Sequence, residues 1–125
     1  MKLWIVSTIL GMAMHHSIAG VYDTNRQVTV EGVVSHFQFI NPHPFLTIDV
    51  KTDSGTVQAW KLEMDNRHEL VQIGMTADTL KPGDRVIVNG SPGRNQAQSI
   101  YIRRLDRPVD GFRYEQIGGS PRIRK

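Results

Sequence analysis

The sequence predicts a mainly β fold: a small five-stranded barrel with one short helix between its third and fourth strands. Three observations predict it. Apolar residues alternate at period two through five separate runs. Turn signals rich in Gly, Pro, Asp and Asn separate those runs. One stretch, between the third and fourth runs, changes to helical spacing.

The first strand covers residues 27–39. Val28, Val30 and Val34 share one face, and Val33, Phe37 and Phe39 the other. Gly32 interrupts the run, so a bulge or bend is expected there, with the apolar side switching nearby. The second strand, residues 45–50, sets Leu46, Ile48 and Val50 against Thr47 and Asp49. Asp53-Ser54-Gly55 is a turn, and residues 56–62 form the third strand with Trp60 and Leu62 on its apolar side.

Residues 65–74 read as a short helix. Asp65 or Asn66 caps its start, Gly74 suits its C′ position, and Leu70 and Ile73 face the core. Lys81-Pro82-Gly83-Asp84 has the residues of a type II turn, with Pro at i+1 and Gly at i+2. Residues 85–89 form the fourth strand, residues 90–98 a loop, and Ser99 begins the fifth strand. Three strands, a helix and two strands is the element order of the OB-fold, a partly open Greek-key barrel.

The ends are expected to lie outside this barrel. Met1-Lys2 and the apolar run that follows resemble a secretory leader, with Gly11 and Ala13 as the small residues before a cut. That run is too short to span a bilayer. The expected divisions are a signal peptide at 1–13, an extension at 14–26, the OB-like barrel at 27–106 and a basic, mostly disordered tail at 107–125. The expected location is a bacterial periplasm or the cell exterior, with no transmembrane helix in the mature form.

The chain has 125 residues, no cysteine and a net charge of +3. Disulfides, thiolate metal sites and cysteine nucleophiles are therefore excluded. From Arg103 onward, seven basic residues face three acidic ones, a net of +4, so the rest of the chain is near neutral.

Chemistry concentrates at Asn41-Pro42-His43-Pro44, between the first two strands. Each proline fixes its own φ and biases its predecessor toward extended geometry, so the corner is stiff and holds its imidazole in place. The plainer role for His43 is to bond a backbone carbonyl and fix the turn. Glu63 ends the third strand and pairs with His43 if neighbouring strands align them. A cut after Ala13 places His16 third from a free N-terminus, and a cut after Met14 exposes His15 itself. Either arrangement joins an amine to imidazole nitrogens, a donor set that suits Cu(II). His15, His16 and His43 are thus the candidate metal ligands, with His36, His68, Met14, Met64 and Met75 less well placed. With His16 third, the donor set suits Cu(II) or Ni(II) alike, and copper is the cofactor expected if one is held.

No nucleophile elbow and no phosphate-binding glycine loop is present. Phe37, Phe39, Phe45, Trp60 and Tyr101, with Arg103 and Arg104, are the residues a single-stranded nucleic acid would use. The near-neutral strands and expected export argue against that partner. The resulting expectation is a non-enzymatic exported binding module for a small ligand or a periplasmic protein. Its candidate contacts are Asn41, His43, Trp60, Glu63 and Arg94. A periplasmic copper-binding or copper-delivery protein is the alternative.

An ordered set of short strings supports the same placement: His15-His16-Ser17, Tyr22-Asp23, Val30-x-Gly32-x-Val34, Asn41-Pro42-His43, Trp60-x-Leu62-Glu63, Leu80-x-Pro82-Gly83-Asp84, Val86-x-Val88-x-Gly90 and Arg94. Together they resemble the bacterial family catalogued as domain of unknown function 6152. The resemblance implies a secreted single-domain protein whose leader ends near His-His-Ser, and it implies no activity. This chain departs from the family pattern at Phe39 and Met75, where tryptophans are usual, and at residues 64–68, where glycines are usual.

Overall fold

The structure, a computed structural model, describes residues 18–125. The expected leader, its cut site, His15 and His16 lie outside the described residues. Residues 18–21 are helical, and after them seven strands and a short helix follow in the order β1 (Val28–Gln38), β2 (Phe45–Lys51), β3 (Val57–Glu63), α1 (Arg67–Gln72), β4 (Arg85–Pro92), β5 (Ser99–Arg107), β6 (Phe112–Ile117) and β7 (Ser120–Arg124). Their spatial order is β3-β2-β1-β4-β5-β6-β7, and β3 also pairs with β5. That last pairing is parallel, with Leu62 opposite Ile100 and Glu63 opposite Tyr101. It closes β1–β5 into the expected five-stranded barrel, with α1 between β3 and β4.

The barrel interior is aliphatic. Leu46, Ile48, Leu62, Val86, Val88, Ile100, Ile102 and Leu105 are fully buried inside it, and Leu70 of α1 and Met75 and Leu80 beyond it join this core. The helix starts as its sequence requires: the Asn66 side chain accepts from the His68 amide at 2.8 Å. Gly74 follows the C-cap with φ of +99°, the left-handed conformation that ends a helix at low cost.

Three expectations need correction. The apolar face of β1 switches at Val34–His36, where the register with β2 shifts, and not at Gly32. Val33 is consequently exposed. Gly32 serves close approach instead, since a Cβ there would stand 2.5 Å from the Asp49 carbonyl oxygen. Second, β4 runs on through Pro92, into the segment expected to be loop. Third, residues 107–125 are not a mostly disordered tail. Residues 112–124 form the β6–β7 hairpin, with Phe112 and Tyr114 buried and Arg113 and Glu115 facing outward. Basic residues and glycines had obscured this period-two pattern.

Gly90 is the tightest point of the barrel wall. It lies where the β4–β5 register shifts. A Cβ there would meet the Tyr101 carbonyl oxygen at 2.1 Å and Ile100 Cγ2 at 2.5 Å. Neither neighbour is the free end of a flexible side chain. Gly90→Ala is expected to cost about 2–3 kcal/mol, as overpacking in a filled core does. Urea unfolding checks this: an unshifted midpoint would contradict the packing described for Gly90.

Candidate functional site

The corner before β2 is strapped to the segment that links β3 to α1. The Met64 amide donates to the Pro44 carbonyl at 3.0 Å, and the Arg67 amide to the Pro42 carbonyl at 2.9 Å. Arg67 Nε donates to the Phe39 carbonyl at 3.0 Å, and its guanidinium lies 5.0 Å from the Phe39 ring centroid. The Asn41–Pro42 peptide is cis.

This strapping holds His43 with one nitrogen committed. Nδ1 lies 2.6 Å from the Met64 carbonyl oxygen and 3.3 Å from Glu63 Oε2. A carbonyl oxygen only accepts, so Nδ1 carries the hydrogen. In the neutral ring the lone pair is then on Nε2. The carbonyl bond expected of a turn-fixing histidine is therefore present. So is the neighbouring carboxylate, because β2 and β3 pair Phe45 with Glu63, two residues beyond His43.

Glu63 is itself held. Tyr22 donates its hydroxyl to Glu63 Oε1 at 2.7 Å. Tyr22 belongs to the N-terminal segment, which lies against the end of β4. Tyr22 bridges to Gly93, and the Asp23 amide donates to the Pro92 carbonyl at 2.8 Å. Arg94 holds the same segment, with its amide on the Val21 carbonyl and its Nε on the Ala19 carbonyl at 2.7 Å. A chain thus runs from Tyr22 through Glu63 to His43.

A second carboxylate lies close by. Asp65 is 7% exposed and accepts from Tyr101 at 3.0 Å, from Tyr114 and from Gln116. Two of these donors come from the β6–β7 hairpin, so Asp65 fastens that hairpin to the barrel. The phenols of Tyr114, Tyr101 and Tyr22 all titrate well above the ordinary tyrosine range. Burial is the largest cause, and the adjacent carboxylates, Asp65 for the first two and Glu63 for Tyr22, add to it. The rings of Tyr22 and Tyr101 lie 5.6 Å apart.

A cleft of about 710 Å³ opens beside these groups. Ile18 and Thr24 line it from the N-terminal segment, and His43 from the corner. Asp65 and Glu69 come from the start of the helical region, Tyr101 and Arg103 from β5, and Gln116 with Gly118 and Gly119 from the hairpin. Of the residues chosen from sequence, the structure brings together His43 and Glu63. Asn41 is exposed at the corner, outside this lining, and Arg94 is turned to the N-terminal segment. Trp60 packs half-buried against the core, and its buried Nε1 has no hydrogen-bond partner among the described residues. Phe37 and Phe39 also pack against the core. Met64 and Met75 are buried in it. Among the described residues, no three histidine, aspartate or glutamate side chains gather as a metal site. No helix among them is long and apolar enough to cross a membrane.

Sequence reasoning missed Tyr22, Asp65 and Gln116 as site residues, and it took Tyr101 and Arg103 only as generic aromatic and charge. Glu63↔Tyr101 pairing required the parallel closure of the barrel, which no local pattern announces.

No curated protein matches the chain. Among solved structures it is similar to the ZRD-deleted mutant of TiaS in complex with agmatine, at 23% identity and a TM-score of 0.48. The match covers 66% of this chain, which spans 21% of that one. The family model for the family of unknown function DUF6152 matches residues 4–101, from before the His-His-Ser string to Tyr101, and the chain belongs to that family.

Proposed function

We propose that the protein is an exported, non-enzymatic binding module whose cleft takes its ligand at Nε2 of His43. One observation carries the reading: Nδ1 is committed to the Met64 carbonyl beside Glu63, in a strapped corner that lines a cleft. An imidazole so held presents a fixed lone pair at little further entropic cost. Export rests on the leader-like sequence at residues 1–13.

A copper ion is the second reading, favoured by a specific observation. Ile18 lines the same cleft as His43, and it follows His16 by two residues. A ligating histidine whose other nitrogen is held by a carbonyl or carboxylate is the arrangement that metal sites use to orient the ring. A cut after Met14 would add a free amine and the His15 imidazole, giving with His43 an all-nitrogen set suited to Cu(II). This reading draws its remaining ligands from His15 and His16.

The test is a Cu(II) titration of the exported protein after its N-terminus has been determined. His43→Asn is the informative variant, since its amide keeps a donor for the Met64 carbonyl and removes Nε2. The copper reading expects at least tenfold weaker binding in His43→Asn, and again in the variant lacking His15 and His16. Equal affinity in all three proteins would overturn it.

A further inference from the structure

Arg103 stands apart from the other arginines of the β4–β6 wall. Arg85 pairs with Glu31, Arg104 with Asp106, Arg107 with Asp84 and Asp110, and Arg113 with Asp106. Arg103 has no carboxylate within ion-pair distance among the described residues. It is nevertheless half-buried and lines the cleft.

Its guanidinium is fixed by neutral acceptors. Nε donates to Ser91 Oγ at 3.0 Å, and Nη2 donates to the Thr24 carbonyl at 3.3 Å. These two bonds use two of the five N–H groups of the fork. The remaining donors keep a planar geometry that matches a carboxylate or phosphate edge. A partly desolvated charge with no counter-charge is costly, and an anion in the cleft offsets that cost.

The two carboxylates that also line the cleft do not supply this counter-charge. Asp65 is committed to Tyr101, Tyr114 and Gln116. Glu69 is exposed in the first turn of α1. On the hairpin side, Gly118 and Gly119 line the cleft without side chains to obstruct an anion.

We propose that Arg103 is the anion-binding group of the cleft and takes one oxyanion, a carboxylate or a phosphate, of a small acidic ligand. This rests on the reading of the cleft as a ligand site, and it adds the charge class of that ligand.

The test follows the Arg103 side-chain Nε–H signal by NMR in the full exported chain. Sodium acetate and inorganic phosphate are added in separate arms, with chloride holding the ionic strength constant. The expected result is a saturating shift at Arg103 with at least one of the two, and the arm that saturates first identifies the chemistry. Arg103→Gln should weaken that binding at least tenfold, read at the Gly118 and Gly119 amides. Arg103→Lys, which keeps the charge and loses the fork, should fall between. Arg85→Gln, at the exposed ion pair with Glu31 outside the cleft, should leave binding unchanged.

A non-saturating drift at Arg103 matching that at Arg85 would overturn the proposal. So would equal binding in Arg103→Gln and the parent. Should Arg103→Gln fail to fold, the parent's saturation curve and Arg103→Lys decide the matter. Oxyanion binding that survives the loss of every copper effect would sink the copper reading alone. Copper binding at His43 with no saturation at Arg103 would sink this inference alone.

Discussion

Asp65→Ala is expected to lower the folding stability by about 3–5 kcal/mol. The carboxylate accepts from Tyr101, Tyr114 and Gln116. Removing it leaves two buried phenols without an acceptor, at about 1–3 kcal/mol each. Gln116 is only half-buried, so water replaces its lost partner cheaply. For a domain near this size, the loss corresponds to a melting point lower by roughly 10–20 °C. Asp65→Asn retains one accepting oxygen and should lose less. Thermal and urea unfolding of the two variants measure the difference. A loss under about 1 kcal/mol for Asp65→Ala would mean that water reaches both phenols, contrary to the burial described.

Alkaline pH is expected to have the second large effect. Tyr114 and Tyr101 ionise in the folded protein only well above the ordinary value of about 10. In the unfolded chain both ionise near that ordinary value. Between the two, the folded state holds more protons than the unfolded state, so stability falls as pH rises. Each phenol contributes a slope of about 1.4 kcal/mol per pH unit. The stability attached to these hydroxyls is therefore fully present below pH ~10 and declines above it. Tyr22 acts in the same direction. Denaturation measured in roughly unit steps between pH ~9 and ~12 gives the slope. Tyr114→Phe should flatten it by one proton's worth, and an unchanged slope in that variant would remove Tyr114 from the account.

The barrel was legible because its determinants are local. Leu46, Ile48 and Val50 alternate within one strand, and Asn66 and Gly74 bound the helix by their own backbone chemistry. The bulge at Val34–His36 was misplaced because Gly32 gives the louder local signal, although its role is close approach to Asp49. The hairpin was lost among arginines and glycines, although Phe112 and Tyr114 keep strand periodicity.

The site was legible only in part, for a different reason. His43 announces itself through two flanking prolines, and Glu63 follows from simple hairpin pairing of β2 with β3. Tyr22 reaches Glu63, Arg103 reaches Thr24 and Asp65 reaches Tyr114 through docking of the N-terminal segment and the hairpin onto the barrel. Those contacts span 36 to 79 residues of sequence. No periodicity or turn signal encodes a contact of that range.

The hairpin beyond the barrel has a consequence for how selectivity is divided along the chain. The family model ends at residue 101, whereas Arg103, Gln116, Gly118 and Gly119 come after it. The imidazole and its supports lie within the residues the family model matches, and Arg103 and the hairpin residues on the other side of the cleft lie beyond them. On the proposed reading, affinity at His43 and discrimination among ligands would be separable traits, the second open to change in the last twenty or so residues while the strapped corner stays untouched.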